Sequence, residues 1–150
     1  METGNQPVGD AMRILAIFGA AALTVTTMLG SGTSSAAPVI ALNGAQEVKP
    51  GDKDGHGFFT YELDGTTFCW TLEWQRIDTA TAAHVHPGPR HVAGGVAIPL
   101  DVGDGSGAPV EGCTEIAPDL AADIAANPKD YYVNVHNEDF GDGAIRGQLL

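Results

Sequence analysis

The stretch HGFFTYELDGTTFCWTLEW, residues 56–74, constrains the fold more than any other, because two runs that alternate apolar and polar flank an Asp-Gly pair. Alternation with a period of two is the signature of a half-buried strand, and Asp-Gly supplies the positive φ angles of a two-residue turn. The segment therefore predicts a β-hairpin turning at Asp64-Gly65. Pairing across that turn places Phe59, Tyr61, Leu63, Phe68, Trp70 and Leu72 on one face, which predicts a core face. Thr60, Glu62, Thr67, Cys69, Thr71 and Glu73 share the other, mostly wet, face.

Further strands are expected at 39–42, 81–86, 95–100, 131–136 and 144–149, separated by clusters of Gly, Pro and Asp such as DVGDGSGAP. Many short strands at this spacing predict an all-β antiparallel sandwich or barrel. One segment departs from the pattern. In IAPDLAADIAANP, Ile116, Leu120 and Ile124 recur every four residues, with Pro118 near the start and Asn127-Pro128 as a stop, so one short surface helix is predicted. Repeats and heptads are lacking, and no Gly-rich loop leads from strand into helix as a phosphate cradle would.

The chain opens differently. Arg13 precedes ILAIFGAAALTVTTML, an apolar run short for a membrane span, and small residues follow in GSGTSSAAP. This reads as a secretory signal peptide over 1–36 with cleavage before Ala37, and Met12 is a candidate start because the first residues are acidic. An uncleaved anchor is the competing reading; after cleavage no stable span is expected. Residues 37–150 then form one domain, since that length supports a single core. The formal net charge is −12, and the leader removes only Glu2, Asp10 and Arg13. So acidic a chain makes nucleic acid an unsuitable partner. Cys69 and Cys113 are the two cysteines, and in an exported chain they are expected to pair as a disulfide, with two separate thiols as the alternative.

The chemistry lies with the histidines. Side chains at i and i+2 of a strand project to one side, so in AAHVHPG His84 and His86 stand together while Ala83 and Val85 face the other way. The same parity in YYVNVHN sends Val133 and Val135 inward and leaves Asn134 and His136 outward. Three imidazoles converge if those strands are neighbours. In AIRGQLL, Ile145 and Leu149 turn inward, with Arg146 and Gln148 toward the histidines. Neutral imidazoles suit copper or zinc. The bland alternative is a solvated HxH pair that binds nothing in particular. His91 and His56 are additional candidate ligands in loop-like sequence. No nucleophile motif is present, and the acidic cluster Asn137, Glu138, Asp139 and Asp142 lacks the ordered spacing of an EF-hand calcium loop, so it reads as an acidic hairpin loop.

Four segments in this order, ALNGAQEVKP, the Asp-Gly hairpin, TATAAHVHPG and YYVNVHNEDFGDGAIRGQL, resemble a CHRD domain, the module named after chordin and found singly in exported bacterial proteins. Two positions depart from the family pattern: Lys49-Pro50 stands for its Pro-Pro, and Ala144 for its acidic residue before Ile-Arg. The pattern is in turn similar to copper/zinc superoxide dismutases, which implies a Greek-key β-barrel with an HVH pair, a later Val-His and an arginine near the C-terminus. Carried over by that resemblance, His84 and His86 match the HVH pair, His136 the later copper histidine, and Arg146 an arginine that guides anions. The bridging histidine and zinc loop of those enzymes lack clear counterparts, which implies a single copper with His91 or His56 completing the site and superoxide as substrate. A copper store or chaperone without turnover and a metal-free extracellular interaction module stand as alternatives, and the resemblance identifies no protein partner.

Overall fold

The computed structural model describes residues 37–150; the leader-like segment and its cleavage site at 1–36 lie outside the described residues. Eight strands form one antiparallel sheet: β1 (Ile40–Asn43), β2 (His56–Asp64), β3 (Thr67–Gln75), β4 (Ala80–Pro87), β5 (Ile98–Leu100), β6 (Val110–Glu115), β7 (Tyr131–Asn137) and β8 (Ile145–Gln148). Their spatial order is β5-β4-β7-β8-β1-β2-β3-β6. The β4·β7 and β3·β6 pairings carry the chain across the sheet in the Greek-key manner. The sheet curls into a nearly closed barrel whose edges, β5 and β6, are consecutive in the chain. One core fills it, drawing Leu42, Phe59, Phe68, Leu72, Val85, Ile98, Val133, Val135 and Ile145 from every strand but β6, together with Leu149 just past β8; Val110 of β6 packs alongside. Full burial of each such side chain is worth about 1.5–3 kcal/mol.

The hairpin forms with the predicted parity. Phe59 faces Leu72, Tyr61 faces Trp70 and Leu63 faces Phe68. Its turn lies one residue later than expected: Asp64 pairs with Thr67, so Gly65-Thr66 is the loop. Gly65 alone has a positive φ there, 60°, which fits a turn needing left-handed geometry only at its first central residue. Asp64 stays extended in β2.

β6 is not among the strands expected from the sequence, and the reason is physical. Its inward positions are Val110, Gly112 and Thr114, opposite Leu72, Trp70 and Phe68. Gly112 gives up its side-chain space to the Trp70 indole, whose atoms lie where a Cβ would stand. Apolar alternation is therefore missing from VEGCTE because the partner strand supplies the bulk. β5 is also shorter than expected, with 88–97 forming a long loop after β4.

Helix α1 (Pro118–Ala126) lies between β6 and β7, starting at a proline and ending before Asn127-Pro128, as predicted. Ala121 and Ile124 are buried while Ile116 and Leu120 pack partly against the core. Among the described residues no helix is long and apolar enough to cross a membrane.

Cys69 and Cys113 form the expected disulfide. They are direct partners in the β3–β6 ladder, on the outward face, and so tie the edge strand to the sheet. The closed loop spans 44 residues, for which the chain-entropy account gives about 4 kcal/mol of stabilisation. Replacing both cysteines by serine is expected to lower the unfolding free energy by about 2–4 kcal/mol in urea titrations; an unchanged midpoint would show that β6 holds without its tether.

Candidate metal centre

Strand β7 brings the histidines together because it pairs with β4 in the register Ala82 to His136, His84 to Asn134 and His86 to Tyr132. β8 lies on its other side, with Arg146 opposite Asn134 and Gln148 opposite Tyr132. The outer wall of these three strands is thus a polar layer, as parity predicts. It is not wet. His86, Asn134 and Arg146 are 6 %, 2 % and 1 % exposed, covered by loops, so buried polar atoms there must find partners within the protein.

His84, His86 and His136 each offer a ring nitrogen within 4.8 Å of the others. His84 Nδ1 is 3.1 Å from His136 Nε2, close to the roughly 3.4 Å that separates two nitrogens sharing a tetrahedral ion at about 2.0–2.1 Å. The remaining ring atoms fix the tautomers. His86 Nδ1 lies 3.1 and 2.9 Å from the carbonyl oxygens of Gly94 and Gly95, which only accept, so it carries the proton. His136 Nδ1 likewise donates to the Gly141 carbonyl at 3.0 Å. Both rings therefore present an unprotonated Nε2. That of His86 is buried without any hydrogen-bond partner. Ligating histidines take this arrangement, with one nitrogen held by a backbone carbonyl and the other left for the metal.

Burial pushes the His84 pKa down to about 4, helped by the repulsion it would feel from His136 and His86. Burial lowers that of His136 too, against the Gly141 carbonyl, which favours the charged form. Both rings are thus neutral at neutral pH, the state that binds a metal.

The other expected candidates fall elsewhere. His91, exposed in the 88–97 loop with φ 61°, is not brought into the three-histidine group. His56 opens β2, its Nδ1 beside the Asp54 carbonyl, and is also outside the group. Arg146 is on the histidine side of the sheet but in the interior, donating to the carbonyls of Val92 and Pro89 at 3.0 and 2.9 Å. Asn137 ends β7 and accepts from the Phe140 amide, while Glu138, Asp139 and Asp142 lie in the β7–β8 connection, where Asp142 pairs with Lys49.

Sequence reasoning missed four participants. Tyr132 stacks on His86 with centroids 5.0 Å apart and planes 10° apart; Gly94 and Gly95 supply carbonyls that no side-chain motif reveals. Glu47 is buried, with Oε1 unpartnered, and burial raises its pKa to about 7 although Arg146 and Asn134 pull it down. An acidic residue within the apolar-flanked ALNGAQEV was the available signal.

The CHRD domain family matches residues 39–149, almost the whole described chain, and the protein belongs to that family. Comparison with curated proteins gave no match, nor did comparison with solved structures.

The depressed His84 pKa predicts how the metal-free domain responds to acid. Its folded value lies below the ordinary value of about 6.5, so the unfolded chain binds the proton first and stability falls as pH drops from about 6.5 towards 4. His84→Asn should flatten that part of the stability profile relative to the wild type, measured by denaturant midpoints from pH 7 to 4. Superimposable profiles would mean that His84 titrates normally.

Proposed function

We propose that this chain is an exported CHRD protein that binds one copper ion through His84, His86 and His136 and uses it to dismutate superoxide. The observation that carries the metal reading is the buried, partnerless Nε2 of His86, a member of a group of three imidazoles whose ligand atoms lie within 4.8 Å of one another. A lone pair isolated from water in this way costs about 1–3 kcal/mol unless something binds it. An all-nitrogen set without thiolate suits copper, with zinc the lesser fit. Export is supported by the leader-like sequence, the disulfide and the family.

The donors fit the ion chemically. His86 and His136 offer Nε2 with Nδ1–H fixed on backbone carbonyls, and His84 offers Nδ1 towards His136. Three protein ligands leave a coordination position free, and His84 and His136 are only partly buried, so a small molecule has a route in. Copper held there would supply alternating one-electron reduction and reoxidation by superoxide, yielding oxygen and, with two protons, hydrogen peroxide. In a chain this acidic, Arg146 behind the cluster and exposed Arg90 supply positive potential for an anionic substrate. The inward-turned Arg146 favours a second reading, copper storage without turnover, because its guanidinium is engaged by loop carbonyls.

Purified mature domain from copper-fed cells should carry one copper per chain by elemental analysis. Alanine at position 84, 86 or 136 should cut occupancy at least tenfold, while His91→Ala and His56→Ala leave it unchanged. Superoxide decay faster than chelated-copper controls selects the dismutase, and copper without activity selects storage. A wild-type domain that takes up no copper sinks both and leaves the interaction module.

A further inference from the structure

Arg146 raises a question that copper binding does not answer: why a guanidinium sits 1 % exposed with no carboxylate bonded to it. Its fork is spent on backbone. Nη1 donates to Val92 O at 3.0 Å and Nη2 to Pro89 O at 2.9 Å and Gln148 Oε1 at 3.3 Å. Its central carbon lies 3.3 Å above the centroid of the Tyr132 ring. β4 and β8 flank β7, so the Tyr132 ring is held between the guanidinium from one side and the His86 imidazole from the other. The Tyr132 hydroxyl accepts the Gly94 amide at 3.2 Å, and Gln148 Nε2 donates to Gly88 O at 2.7 Å.

Apart from the Arg146–Gln148 bond, these hydrogen bonds end in the loop 88–95, and that loop also supplies the two carbonyls that hold His86 Nδ1–H. We propose that Arg146 is a positioning residue: with Tyr132 it fixes the 88–95 loop, whose Gly94 and Gly95 carbonyls then lock the His86 tautomer and aim Nε2 at His84 and His136. The planar fork is needed because two carbonyls and a ring face must be met at once, which an ammonium cannot do. The role in metal binding rests on the copper reading above, whereas the effect on the His86 ring does not.

Two variants of the full mature domain test it. Arg146→Lys keeps the charge and loses the fork; Tyr132→Phe keeps the ring and loses the acceptor for Gly94. In metal-free protein, nitrogen NMR of wild-type His86 should report one tautomer with the proton on Nδ1. Arg146→Lys should give a mixed tautomer population and a roughly 10–100-fold weaker copper affinity in a competition titration, with Tyr132→Phe shifted the same way by less. A lysine variant with wild-type tautomer and affinity overturns the proposal, because charge alone would then suffice. Should Arg146→Lys not fold, Tyr132→Phe decides: an unchanged His86 spectrum overturns it. A wild type that binds no copper removes the affinity arm and defeats the copper reading, while the tautomer arm still judges Arg146.

Discussion

Everything at the candidate centre depends on one constraint: the outer wall of β4, β7 and β8 is polar yet covered, so its side chains must be satisfied without bulk water. An exposed HxH pair on a strand would rotate freely and bind weakly. Here the wall is roofed by the 88–97 loop, and backbone carbonyls take the place of solvent. The imidazoles are thereby fixed in tautomer and direction before any ion arrives, which lowers the ordering cost of binding. The same covering depresses the His84 and His136 pKa values, since charging a ring out of water is unfavourable.

The barrel supplies the rigid base. Val85, Val133, Val135 and Ile145 are fully buried on the inner faces of the strands that carry the histidines and Arg146. Because a strand alternates, anchoring those apolar residues fixes the parity of every side chain on the outer wall. A slip of one residue in β4 or β7 would bury imidazoles in the core. Register is thus enforced by hydrophobic burial on one face and read out as the placement of the three imidazoles on the other.

Parity was legible in the sequence, and so was most of the fold. AHVH and VNVH could be sorted into inward and outward sets without coordinates, and Asp64-Gly65 marked the hairpin to within one residue. The rest failed where the deciding partner was distant. β6 lacks its own apolar alternation because Trp70, some forty residues earlier in the chain, fills the space above Gly112. His91 was an additional candidate in loop-like sequence; it lies outside the three-histidine group, to which the 88–97 loop contributes the Gly94 and Gly95 carbonyls. Arg146 was placed on the correct side, but whether a side chain on a covered wall meets solvent depends on a loop whose path its Gly and Pro residues do not announce.

The proposed function requires three imidazoles from β4 and β7 to share one ion. The most direct measurement is an anomalous difference map from crystals of the copper-loaded domain. One strong peak is expected within about 2.1 Å of nitrogens from His84, His86 and His136. A peak elsewhere, or none on this wall under saturating copper, would contradict it.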